Sequence, residues 1–429
     1  MAKTLHIAGS TSTSTSTANT TQYITMIGEK TYNTTESACQ AKVRTPGTYQ
    51  YLGLRISANT MTSGTTLFRF RKNGANGNQV VSMPFGSTGF FEDTTNTDTV
   101  AAGDLICVQS VPGATTNTFV LYQVKSEFDT NASTTSSVTR LGAAQGAGNT
   151  GHTTASTTYF YPVQCNIPTS TTVNTTESVA KYKEVASGTF KNMAFLVTAN
   201  SRTASTVRFR KNGANGNQVA TVTASTTGWF EDTTNTDSTV SGDDVCWSLT
   251  TGTGTAAMTI NYFLVDYETT TNPGLGHLGL GNITSPSLAK NTTTGIPIAG
   301  RFTGTVATEA FTQMTVHDVY TFKSISVNVT VNSVTAASTI KLRVNGVDSA
   351  LSASITASTT GTFQDLVNTV TVADGDSVGY FATIPNSGAG GAALTLNHVM
   401  AYTQIAGQST SIDCTGTPIT LTNKFITIV

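Results

Sequence analysis

In this 429-residue chain the side chains able to do chemistry repeat rather than converge. Two acidic pairs, Glu92-Asp93 and Glu231-Asp232, lie 231 − 92 = 139 positions apart, and Asp365 beside Gln364 is a third version. Paired carboxylates work as general acid and base only where both reach one reacting centre. Neighbours along a strand point to opposite faces, so neither pair is read as catalytic. Asp followed by Thr-Thr-Asn instead suits a turn that bonds its own backbone. A calcium ion would need several convergent oxygens. Gly242-Asp243-Asp244 comes nearest to that, and no metal site is assigned.

The histidines His6, His152, His277, His317 and His398 do not share repeat positions, apart from a loose match of His6 with His277. Phrasing alone assembles no histidine, carboxylate and nucleophile trio, and serine is too common here to single one out. The five cysteines, Cys39, Cys107, Cys165, Cys246 and Cys414, show no CxxC or Cys/His spacing. Neither zinc nor a disulfide scaffold is expected. Cys107 and Cys246 (246 − 107 = 139) sit in apolar runs and read as small buried hydrophobes. GANGNQ opens no helix and is no phosphate loop. The expectation is a non-enzymatic chain with no catalytic residues and no cofactor.

The basic residues Arg69, Arg71 and Lys72 return as Arg208, Arg210 and Lys211. They could meet an acidic partner or glycan, but pairing with acids across a solvated sheet face is the favoured reading. Charged residues are 11% of the chain against a usual share of about 25%, and the formal net charge is −1. That leaves no basic footprint for nucleic acid and no polybasic membrane signal. No run approaches a membrane span, and the first residues lack the apolar core of a secretion signal.

These residues are carried by a repeat. RFRKNGANGNQV from Arg69 recurs unchanged from Arg208, and FEDTTNTD from Phe91 recurs from Phe230. Arg343, Asn345 and Gly346 continue the series at 343 − 210 = 133. A period this long marks tandem units rather than a solenoid turn. Asn73-Gly74, Asn212-Gly213 and Asn345-Gly346 supply the positive dihedrals of tight hairpins. PGTYQYLGLRI from Pro46, SGTFKNMAFLV from Ser187 and VYTFKSISVNV from Val319 alternate as half-buried strands do. Short apolar strands are also expected at Tyr23–Ile27, Tyr159–Gln164 and Ile296–Ala299. Gly103-Asp104, Gly242-Asp243 and Gly375-Asp376 turn into LICVQS, DVCWSL and SVGYFA, and a last apolar strand closes each unit.

Eight to ten short strands per unit, with almost no helix, give an all-β reading: three tandem antiparallel jelly-roll β-sandwich domains. The expected blocks are 1–133 with a Ser/Thr-rich N-terminal arm, 134–272, 273–407, and a strand-like tail over 408–429. The arm near Ser10–Thr20 buries little apolar surface, so its order should come from a partner surface or from pairing along a sheet edge, and its Thr-rich composition suits the latter.

The PGTY or SGTF strand, the RKNG hairpin, the VAAGDLICVQ strand and the closing aromatic strand occur in an order that resembles complement-C1q and tumour-necrosis-factor-like heads. The resemblance is greatest to the versions found in bacteriophage virion proteins. It covers residues 20–129, 157–268 and 292–405, without a collagen stalk and with three heads in one chain. It implies a trimer-forming surface module that binds rather than reacts. The expected role is a virion structural protein on the particle surface, a capsid-decorating or fibre component that contacts other virion proteins. The expected assembly is a trimer or an intrachain pseudo-trimer. The alternative is an adhesin for a host surface glycan or receptor.

Overall fold

The structure, a computed structural model, describes residues 3–9, 15–29, 32–113, 118–130, 137–145, 151–167, 175–254, 257–269, 276–281, 287–300, 306 and 308–405. Most of the expected arm and the whole 408–429 tail lie outside them. Where the arm is described, Thr15 bridges Val120, and the Ser16 amide donates to the Phe119 carbonyl at 2.9 Å. That is pairing along a strand, as the sequence suggested.

The fold is β throughout. Among the described residues helix is confined to α1, Glu177–Ala180, and to single 3-10 turns at Glu36–Ala38 and Glu309–Phe311. Eight principal strands form the first sheet pair: β1 (Lys3–Gly9), β2 (Gln22–Ile24), β3 (Gly47–Asn59), β4 (Thr65–Lys72), β5 (Ala75–Pro84), β6 (Gly89–Val100), β7 (Leu105–Val111) and β8 (Phe119–Asp129). They are ordered β1-β8-β3-β6 in an inner sheet and β2-β7-β4-β5 in an outer one. First beside last and third beside sixth is the double-sheet jelly-roll path.

The order recurs in β9 (Ser137–Gln145), β10 (Thr158–Tyr161), β11 (Gly188–Asn200), β12 (Ser205–Lys211), β13 (Ala214–Val222), β14 (Gly228–Asp232), β15 (Asp244–Thr250) and β16 (Met258–Thr269). It recurs again in β17 (Gly276–Gly281), β18 (Thr292–Ile296), β19 (Tyr320–Asn332), β20 (Ser338–Val344), β21 (Val347–Ile355), β22 (Gly361–Asp365), β23 (Ser377–Ile384) and β24 (Ala393–Ile405). Among the described residues short flanking strands pair parallel only at Ala8–Gly28 and Ala143–Cys165.

In the outer sheets the alternation holds. Phe68 and Phe70 are fully buried while Arg69 and Arg71 face outward, and Val207 and Phe209 repeat this against Arg208 and Arg210. The inner sheets behave differently. β24 is buried over eleven consecutive residues, and the centre of β3 is buried on both faces. The half-buried reading of the PGTY strand is therefore wrong at its middle. The strand expected at Ile296–Ala299 also ends at Ile296, because Gly295 and Ile296 complete the pairing with Phe381 and Tyr380.

Each hydrophobic core reaches into a neighbouring sheet pair. Ile24, Leu54 and Val124 of the first pair cluster with Ala194, Leu196, Tyr262 and Leu264 of the second. Tyr182, Phe209 and Trp247 of the second cluster with Met400 and Tyr402 of the third. The third core takes in Ile7, with Phe90 packed against it, both from the first pair.

Candidate functional site

The repeated motifs are structural. Asn73 and Gly74 take φ of 52° and 81°, Asn212 and Gly213 take 51° and 81°, and Asn345 and Gly346 take 51° and 76°. Two successive positive dihedrals make the hairpin turn that Asn-Gly favours. Asp93 accepts from the amides of Val80 at 2.7 Å, and of Thr95 and Asn96 at 3.0 Å each. Asp232 and Asp365 are held in the same way. Burial opposes their charge, but these amide and Asn donors outweigh it and keep all three carboxyls below the usual range.

Arg71 forks onto Glu36 at 3.0 and 2.9 Å, Arg210 onto Glu177 at 3.2 and 2.9 Å, and Arg343 reaches Glu309 at 2.5 Å. Arg71 and Arg210 thus pair with acids of the short helical turns, not across the sheet as expected, whereas Arg343 also pairs across the sheet, its Nε 3.0 Å from Asp348 on the adjacent strand. Gly242-Asp243-Asp244 does not gather its oxygens. Asp243 caps the Val240 amide at 2.9 Å, while Asp244 lies 2.9 Å from Lys183.

Among the described cysteines, Cys39, Cys107 and Cys246 are buried free thiols. Burial, with a nearby glutamate adding to it, pushes Cys39 up to about 12 and the other two well up, so they are inert. His6 meets the Tyr49 hydroxyl at 3.0 Å inside the first core. Burial lowers His152 to about 4 and His398 to about 3, so both are neutral core rings. The side chain of His277 is not described.

What the residues build instead is a set of joints. Val43, Glu184 and Val316 each give an amide to one carbonyl of the Gly-Asp turn and accept from its glycine: Asp104 and Gly103, Asp243 and Gly242, Asp376 and Gly375. These three residues end a strap that leaves its own outer sheet and lies on the inner sheet of another pair. The residues following them are Arg44, Val185 and His317.

At the first joint, Arg44 and Lys42 engage Glu231, with Lys42 at 2.9 Å, and the Thr45 hydroxyl donates to Asp266 at 2.8 Å. At the second, the Val185 amide meets the Tyr402 hydroxyl at 3.4 Å, which in turn donates to Glu184 at 3.1 Å. At the third, His317 lies 2.5 Å from Glu92, and its amide donates to Glu127 at 2.8 Å. The receiving positions match as well. Ladder partners align Glu127, Asp266 and Tyr402, set opposite Gln50, Lys191 and Ser324.

The third joint is charged where the others are apolar. Lys125 stands where the first and second joints have Leu264 and Met400, two residues before the aligned set. It is fully buried, 2.7 Å from Glu92, 3.6 Å from Glu127 and 2.6 Å from the Thr315 carbonyl. Burial raises the Glu127 carboxyl, with Lys125 and the donors from His317 and Tyr320 opposing. His317 has Asp374 3.0 Å from Nδ1 and stacks on Tyr51 at 4.4 Å. Tyr51 and its counterpart Asn192 have φ of 56° and 57° at register shifts in β3 and β11, which re-aim a side chain at the joint. Among the described residues no hydroxyl or thiol bonds to His317. A buried network of opposite charges with every member engaged specifies a contact.

No family model matches the chain, and no curated protein matches it. Among solved structures it is similar to dimeric latent PorU from Porphyromonas gingivalis, with 10% identity, 93% of this chain covered and a TM-score of 0.23. The chain spans only 31% of that protein. It is also similar to a chain in the atomic structure of Sulfolobus Turreted Icosahedral Virus, at 14% identity, 85% and 81% coverage and a TM-score of 0.17. At such TM-scores neither likeness bears on what this chain does.

The joints were missed in the sequence because their partners lie up to 225 positions apart. One signal was available: Glu92 and Glu231 give way to Gln364 just where the opposing strap carries Val185 instead of Arg44 or His317.

Proposed function

We propose that this chain is a non-catalytic assembly protein whose three jelly-roll heads close head to tail into an intrachain pseudo-trimer, and that it serves as a structural component of a bacteriophage particle surface. The observation that carries the ring is the third joint, where the last sheet pair returns to the first through His317, Tyr320 and Gln313 on Glu92, Glu127 and Arg55. A strap-on-sheet contact repeated three times is heterologous, and such contacts close into rings when the rotation permits. The order of motifs shared with C1q and tumour-necrosis-factor-like heads of phage virions supports the location, as decoration or fibre. Cores that merge across joints and carboxylates engaged by backbone or cations suit a scaffold rather than a catalyst.

Mass spectrometry of purified particles tests the location, and sedimentation of the recombinant chain tests the ring. A compact monomer is expected. A stable trimer or dimer, or absence of the chain from every particle, overturns the corresponding part.

A further inference from the structure

The three joints are unequally filled. Where Arg44 reaches Glu231 and His317 reaches Glu92, the second joint has Val185 and Gln364, which cannot form an ion pair. A cleft of about 460 Å³ opens there between Val185, Ala186 and Ser241 on one side and Lys323, Leu366 and Tyr402 on the other. Pockets for small ligands have this volume and favour boundaries between packed units.

The Tyr402 hydroxyl in this lining is engaged by Glu184, but other polar groups of the cleft are not. In sequence Lys323 follows Thr321-Phe322 as Lys191 follows Thr189-Phe190, but it falls at a register shift, whereas the Nζ of Lys191 lies 2.7 Å from Glu268 in the second sheet pair. Ladder partners put Gln404 where Glu268 stands, opposite Thr321 and Thr189 respectively. Among the described residues Lys323 has no ion pair or hydrogen bond. Ser324 beside it is 3% exposed, and its hydroxyl lacks a partner. Leu366, 52% exposed, replaces Thr94 and Thr233 of the other Asp-Thr-Thr-Asn loops and adds an apolar wall.

We propose that this cleft binds an acidic sugar residue, a hexuronic or sialic acid ring. Its carboxylate pairs with Lys323, its hydroxyls meet Ser241 and Thr369, and its apolar face lies on Leu366 and Val185. One flexible ammonium matches one negative charge, whereas a phosphate calls for a cluster of donors. Hydroxyl-bearing residues beside apolar ones match the two faces of a pyranose ring. The cleft belongs to the chain whatever particle carries it.

Calorimetric titration of the full chain with glucuronic acid, N-acetylneuraminic acid, glucose and acetate tests this. At least one of the two acids should bind at least about tenfold more tightly than glucose or acetate. Lys323→Gln should weaken that binding by about tenfold or more, and Leu366→Thr should weaken it as well. The double variant Val185→Arg/Gln364→Glu, which copies the first joint, should abolish binding while the thermal melt stays intact. No binding by either acid, equal binding of acetate, or an unchanged Lys323→Gln titration overturns the proposal.

Discussion

Lys125→Met should open the third joint, and the other two joints indicate how to close it again. Lys125 is fully buried, with Glu92 at 2.7 Å and the Thr315 carbonyl at 2.6 Å. Removing one partner of a buried pair typically costs about 3–5 kcal/mol, because the remaining charge is left uncompensated. Glu92 keeps His317 at 2.5 Å, so the lower end, about 3 kcal/mol, is expected here. The second joint manages with Met400, Gln364 and Val185 at the matching positions. The triple variant Lys125→Met/Glu92→Gln/His317→Val should therefore recover most of the loss, since a buried ion pair is often replaceable by apolar side chains. Hydrogen exchange of the β8 amides reads the local opening free energy directly. A single-variant cost below about 1 kcal/mol, or a triple variant no better than the single, would refute the view that desolvated charge holds this joint.

Three further outcomes follow from other sites. Gly213→Val should cost roughly 1–3 kcal/mol in chemical denaturation, because φ is +81° while a new Cβ would meet only the Lys181 Nζ at 3.9 Å, so the penalty is in the backbone. An unchanged midpoint would remove the hairpin assignment. Gly216→Ala should cost about 1–3 kcal/mol for a different reason: its Cβ would lie 2.6 Å from the Asp237 carboxylate, itself fixed by the Asn217 and Gln218 amides at 2.6 and 3.0 Å. A neutral result would mean that the carboxylate swings free. Burial pushes Glu184 up to about 8 from an ordinary 4.5, with the Tyr402 hydroxyl opposing and Asp243 adding to the rise. The fold therefore favours the neutral acid. This contribution is full below pH 4.5 and is lost as pH climbs towards 8, with a ceiling of roughly 5 kcal/mol. Glu184→Gln should flatten the decline in stability between pH 5 and 8, and an equally steep decline in the variant would assign the titration elsewhere.

The local grammar of the fold was legible in the sequence, since a hairpin or an Asp turn is decided within a few residues. Asn-Gly marked the three type I′ turns, and Asp-Thr-Thr-Asn marked the backbone-capping loops. The span of β7, read as LICVQS after the Gly103-Asp104 turn, was also readable in advance. What could not be read was the second buried face of the inner sheets. Lys125 and Glu127 look like the polar side of an alternating strand, and both are fully buried because a strap from 190 positions away lies on them. Alternation reports what one sandwich buries, not what a neighbour covers. The Glu36 and Glu177 partners of the arginines escaped for a related reason, since a turn of helix places them over the sheet rather than in it. The constant shift of 139 concealed a local change too: the strand after the strap is offset by 188 − 47 = 141, which moves the strap residues relative to one another.

Trimers made of identical chains face a genetic restriction that this chain escapes. In a homotrimer every substitution at a contact appears three times, so the contacts can only drift together. Here each joint is encoded separately, and one has kept an arginine on a glutamate, one has become an open cleft, and one has taken a buried lysine. The cleft therefore has a valency of one per molecule instead of three. An object with threefold symmetry that touched the proposed ring would meet three different sectors, and could hold it in one azimuthal setting out of three.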